Sequence, residues 1–166
     1  VHVGSGTLLA RPLHKFWHVG QRAEMRAHEE RWLLQPRHRL TLLEKVDGEM
    51  VHYWMLEGEL HASAAGGPSE ASAEAARFAE ESDAKGAVLY RDFCREAIEG
   101  GFTPIFAWCR GGRDDTSVHG DARLVLLALR HMGSGHYVPH RGLVQLAAPY
   151  GVPTVARLAT WSPPRD

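Results

Sequence analysis

The chain has 166 residues, 44% of them hydrophobic and 23% charged, with a formal net charge of -1. That is enough apolar material for one packed core, and the balanced charge excludes a uniformly basic nucleic-acid binder. Cys94 and Cys109 form no Cys-x-x-Cys or Cys/His cluster, which excludes a disulfide scaffold or zinc finger and fits a reducing, cytoplasmic setting.

The 11 histidines are scattered without a metalloprotease spacing. No apolar run is long enough to cross a membrane, and no secretory leader opens the chain. With Val1 and not methionine at its start, the chain reads as a partial domain.

In chain order, Thr7 to Pro12 is short, apolar and closed by proline, so a strand leading into a loop is expected. Lys15 follows, beside Phe16-Trp17, and the residues alone read as a solvated lysine next to a buried aromatic pair. Gln21 to Leu34 has a polar, helix-like pattern. Leu40 to Glu44 is predicted as a strand that runs into Lys45-Val46-Asp47-Gly48.

Beyond that turn, Met50 to Leu56 and Glu59 to Ser63 alternate as a hairpin around Glu57-Gly58. Ala64 begins a small-residue loop, and Ser69 to Glu81 is predicted helical, with Ser69 and Ser72 both able to cap it. A second helix, Val88 to Glu99, carries the stripe Leu89, Phe93, Ala97, Ile98 and stops at Gly100-Gly101. Buried strands are expected at Phe102 to Cys109 and Ala122 to Arg130, with a polar loop between them. Gly133-Ser134-Gly135 is a turn, and Arg141 to Tyr150 is a last amphipathic helix. Strands and helices do not alternate regularly, so the fold class expected is α+β on antiparallel sheet, with residues 1–166 forming one domain.

The chemistry concentrates at Glu44-Lys45-Val46-Asp47-Gly48-Glu49. An ordinary lysine, with a pKa of about 10.4, is neutral in only about one of 2,500 molecules at pH 7. A lysine nucleophile therefore needs a site that favours its neutral form, through partial burial or a nearby cation such as Mg²⁺. A strand end fixes the lysine, Asp47 can orient it or hold a metal, and Gly48 allows close backbone approach. Taken alone, the same four residues also describe a surface lysine before an Asp-Gly turn.

The company this tetrad keeps is more specific. Ala10-Arg11-Pro12-Leu13-His14-Lys15-Phe16-Trp17-His18-Val19-Gly20 resembles the "RPxxKFFNxGE" lead-in of the bacteriophage RNA ligase 1-like family of ATP-dependent RNA ligases. Gly101 to Cys109 (GFTPIFAWC) is similar to that family's "GYTPIFEWC" strand, and Arg123 to His131 (RLVLLALRH) to its "RLVLLAIRH" segment.

The resemblance implies a nucleotidyltransferase (adenylation) domain of antiparallel-sheet type, incomplete at both ends. It implies ATP and Mg²⁺ as cofactors and RNA 5′-phosphate and 3′-hydroxyl ends as partners. Position by position, Lys45 and Asp47 match the catalytic residues, Lys45 being the lysine that becomes adenylylated. Lys15 matches a phosphate-contacting lysine, and Glu44, Val46 and Gly48 complete the nucleotide-binding motif. The resemblance points to no metal-ligand set, and the oligomeric state is not implied.

The chain also departs from the family. Ala107 stands where the family strand has glutamate, and Ser63-Ala64-Ala65-Gly66-Gly67 lacks the lysine of a "TKxG" element. Gly112 to Gly120 replaces an expected "NRIVIDY" stretch, and nothing after Gly151 matches the "EGxV" and "KxK" strands. Two functions follow: an RNA ligase adenylation domain, or an impaired relic or fragment that binds nucleotide or RNA without catalysis. A plain interaction domain is a third reading, disfavoured because the shared positions include motif residues as well as core ones.

Overall fold

The computed structural model describes residues 4–16, 18, 21, 40–111 and 121–162. The helix-like stretch from Gln21 to Leu34 lies almost wholly outside these residues, as do Trp17 and the segment 112–120. The chain divides into two compact units. One comprises Val1–Leu13 and Val46–Val155, the other His14–Lys45 and Ala156–Asp166.

The larger unit is built on a four-stranded antiparallel sheet. Its strands are β2 (Glu49–Leu56), β3 (Glu59–Ala64), β4 (Phe102–Cys109) and β5 (Arg123–His131), in the order β3-β2-β4-β5. Here β1 is reserved for Leu40–Leu43 of the smaller unit. The β2–β3 hairpin turns through Glu57 and Gly58 at φ 53° and 83°, the paired left-handed conformation that a two-residue hairpin needs. Pro104, a residue without a ladder donor, stands just beyond the β2–β4 pairing, which runs only from Glu49↔Trp108 to His52↔Ile105.

Three helices belong to this unit: α1 (Glu70–Ala84), α2 (Tyr90–Glu99) and α3 (His140–Ala147), the last continued by a 3₁₀ turn, Ala148–Tyr150. Ser69 caps α1 through a reciprocal pair of bonds, its hydroxyl accepting from the Ser72 amide and the Ser72 hydroxyl accepting from its own. The N-cap of α2, Leu89, has no side-chain bond, and Asp83 at the end of α1 does that work. Its carboxylate accepts from the Tyr90 amide at 2.7 Å and the Arg91 amide at 3.1 Å. Burial pushes the Asp83 carboxyl up, and these two bonds act against that shift.

One face of the sheet carries the core. Ala71, Ala75 and Ala79 give α1 a face of small residues, which lets it lie close to the strands. Phe106 is fully buried at the centre, edge-on to Tyr53 at 5.6 Å, Tyr90 at 6.1 Å and Phe93 at 6.4 Å. Burying such a side chain contributes about 1.5–3 kcal/mol. The two tyrosine hydroxyls stay satisfied by donating to backbone carbonyls, Tyr53 to Ala75 and Tyr90 to Leu124. Phe106 and Trp108 are core residues, as their place on an apolar strand predicts.

Thr7 to Pro12 is not a strand. The segment pairs with no strand of the sheet, and the Arg11 amide donates to the Thr103 hydroxyl at 2.8 Å instead. Pro12 brings no amide of its own. Its carbonyl accepts from the Arg130 guanidinium, and the Arg11 guanidinium donates to the Gly133 carbonyl.

The smaller unit contains a two-stranded antiparallel sheet of β1 (Leu40–Leu43) and β6 (Arg157–Trp161). The sequence gives no warning of β6. It is short and exposed along its whole length, and its pairing with β1 is a contact across more than a hundred residues of chain.

Candidate functional site

The Glu44–Gly48 motif runs across the boundary between the units, and each unit holds its part differently. In the smaller unit, β1 pairs with β6 from Leu40↔Trp161 to Leu43↔Arg157, with a bulge between Leu42 and Leu43. Half-buried Glu44 adds one more bond, its amide donating to the Ala156 carbonyl at 2.8 Å. Lys45 follows directly on this bond, and it is exposed. The partial burial that would help activate a lysine is not what surrounds it. Lys15 is also exposed, on a segment without regular structure, and its neighbour Phe16 is 63% exposed, unlike the buried aromatic of the plain alternative for Lys15.

In the larger unit, half-buried Val46 is followed by exposed Asp47 and Gly48. Here β4 fixes the backbone. The Cys109 thiol donates to the Asp47 carbonyl at 3.4 Å. A Cβ on Gly48 would lie 2.7 Å from the Trp108 carbonyl oxygen and 2.9 Å from the Cys109 Sγ. The glycine is therefore required by β4, a reason distinct from the nucleotide approach expected of it.

The end of β4 is tied to α1 in turn. The Trp108 indole donates to the Glu74 carboxylate at 3.0 Å, and Arg110 donates to the same oxygen at 2.5 Å. The Arg110 bond, and then the Trp108 bond, hold the Glu74 carboxyl below the usual carboxylate range. Ala107, where the resemblance leads one to expect a glutamate, is 1% exposed and lies opposite Met50 on β2 and Val125 on β5. The methyl group offers no carboxylate there.

Pattern reading missed a group on the other face of the sheet. Val51 and Tyr53 enter the helix-covered core, so His52 and Trp54 face the opposite way along β2. His52 is 8% exposed, and its Nδ1 is buried without a hydrogen-bond partner among the described residues. Burial pushes its pKa down. The period-two alternation could have placed His52 on that face, but not what covers it.

Among the described residues, no three His, Cys, Asp or Glu side chains cluster as a metal site, and no helix is long and apolar enough to cross a membrane. Comparison with curated proteins gives no match. Among solved structures, the chain is similar to two forms of an archaeal ATP-dependent RNA ligase, each at 21% identity, with TM-scores of 0.53 and 0.54. Both alignments cover 76% of this chain and 32% of the ligase. It is also similar to a structure described as an ATP-dependent DNA ligase from Aquifex aeolicus, at 14% identity and a TM-score of 0.58, over 90% of this chain and 39% of that one. The chain thus spans between about a third and two fifths of these ligases, which share its fold over the aligned part. The family described as RNA ligase matches residues 2–162, nearly the whole chain, and the chain belongs to that family.

Proposed function

We propose that this chain is part of the adenylation domain of an ATP-dependent RNA ligase, with Lys45 as the nucleophile. The observation that carries the reading is the position of Lys45. It follows directly on the paired end of β1 and precedes an Asp-Gly step held against β4, in a chain of the RNA ligase family. The solved ligases of similar fold are described as ATP-dependent, which supports ATP as the nucleotide.

In the first step the neutral Lys45 amine attacks the α-phosphorus of ATP. A P–N bond forms, the bond to the bridging oxygen breaks, pyrophosphate leaves, and the amine proton passes to solvent. An RNA 5′-phosphate oxygen then attacks the lysyl-AMP phosphorus and frees Lys45. Finally an RNA 3′-hydroxyl attacks the activated 5′-phosphorus and AMP leaves. Lys15 is proposed to meet the phosphates as a mobile point charge, and Glu44, Val46 and Gly48 to shape the backbone around the nucleotide. Mg²⁺ typically binds through one or two carboxylates and the substrate phosphates, so exposed Asp47 fits it without a larger cluster, and the ion would neutralise phosphate charge.

Incubation with α-labelled ATP and Mg²⁺ tests this. The expected result is covalent label that survives SDS, is released by acid and is absent from Lys45→Ala. Ala107 favours a second reading, since a family carboxylate is replaced by a buried methyl group. Under that reading ATP binds and no covalent label forms.

A further inference from the structure

The near-neutral total charge hides an uneven distribution. No aspartate or glutamate occurs between residues 1 and 23 or between residues 122 and 165, although arginines recur in both stretches. The larger unit brings parts of these two stretches together. The Arg11 guanidinium donates to the Gly133 carbonyl. Arg130 donates through Nε to the Gly135 carbonyl at 3.0 Å and through Nη1 to the Pro12 carbonyl. It also lies over the Tyr137 ring, 5.2 Å from the ring centre.

Both guanidinium groups close on one point. A Cβ on Gly135 would stand 2.6 Å from Arg11 Nη1 and 3.4 Å from Arg130 Nη2, and the φ of 75° there already favours glycine. Like charges gathered this closely repel, and the carbonyls that hold them offer dipoles, not a full negative charge. Among the described residues, no carboxylate pairs with either arginine. No nitrogen of either half-buried side chain is both buried and without a partner, so Arg130 Nη2, which donates to no described group, opens on solvent. Two guanidinium forks with donors to spare beside one another suit a phosphate, which accepts from several charged donors at once.

We propose that Arg11 and Arg130 bind a backbone phosphate of a single RNA strand. The choice of RNA rests on the ligase reading. The pair lies at the Thr103↔Arg130 end of the β4–β5 ladder, whereas the Asp47-Gly48 step lies against Trp108 and Cys109. Thr103 and Trp108 are five positions apart on β4, roughly 17 Å at ~3.4 Å per residue. That separation assigns the pair to a phosphodiester within the strand and leaves the terminal phosphate to the motif.

Fluorescence anisotropy with a labelled oligouridylate, without ATP and across a series of salt concentrations, provides the test. Arg11→Gln is expected to weaken binding about tenfold, the loss of a charged hydrogen bond. Its salt slope should fall by up to about 0.7, the share of one phosphate contact on a single strand. Its melting temperature should stay close to the wild type, since the Arg11 amide bond to Thr103 is untouched. Arg11→Lys keeps the charge and loses the fork, so it should restore the slope and only part of the affinity. Exposed Lys85→Gln removes the same charge elsewhere and should change neither. The proposal is overturned if wild type does not bind the oligouridylate, or if Arg11→Gln matches wild type or Lys85→Gln in affinity and slope. It is also overturned if Arg11→Gln loses only inorganic phosphate, which would make this a small-anion site. Failure of Lys45 labelling, with RNA binding still sensitive to Arg11, would remove the reaction and leave this site; labelling with insensitive RNA binding would do the reverse.

Discussion

Gly48 sits against the Trp108 backbone, where a Cβ would stand 2.7 Å from the Trp108 carbonyl oxygen. A carbonyl fixed in a β-ladder cannot swing aside as a long side chain can. The next residue, Glu49, pairs with Trp108 in that ladder, so any shift propagates into the start of β2. Gly48→Ala is therefore expected to lower stability by about 1–3 kcal/mol, the usual range for overpacking. Denaturant unfolding measures it, and an unchanged midpoint would show that β4 yields freely.

The Trp108–Glu74–Arg110 group predicts a pH dependence. The Glu74 carboxyl sits below its ordinary value of 4.5 because Arg110 and Trp108 bond to the charged form. A depressed carboxyl contributes stability that is present above the unfolded value and is lost as pH falls through the folded one. Glu74→Gln should thus melt below the wild type at neutral pH. The gap should narrow as pH drops below about 4.5. A gap that stays constant with pH would mean that the bonds matter only as neutral contacts.

Ala107→Glu tests the departure on β4. If position 107 is where the ligase reading places a carboxylate, the added group is expected to raise the initial rate of ATP labelling about tenfold or more, given what a single placed group commonly supplies. The melting temperature should fall at the same time, because the position is 1% exposed and a buried charge is costly. Unchanged labelling in a folded variant would place the deficit elsewhere.

Much of the architecture was legible residue by residue. The hairpin follows from alternation around Glu57-Gly58, α1 from Ser69 and Ser72, and β4 from a largely apolar run. These are local signals, with periods and caps written within a few positions. The expected strand at Thr7 to Pro12 fails for a nonlocal reason: its Arg11 amide is taken by the Thr103 hydroxyl, 92 residues away. Helix α2 starts two residues after the predicted Val88 because its cap comes from Asp83, outside the helical pattern.

By itself, the sequence determined the antiparallel α+β class and the family, because periodicity, turn residues and motif blocks are properties of consecutive positions. It also singled out the Lys45 tetrad. Only the tertiary structure decided why Gly48 must be glycine, because the clash comes from a strand sixty residues downstream. The structure likewise decided that Lys45 is exposed beside a strand paired to β6, and that His52 lies buried with one ring nitrogen unpartnered among the described residues. Burial and hydrogen-bond satisfaction depend on what the rest of the chain brings near, and the local pattern of a strand does not record that.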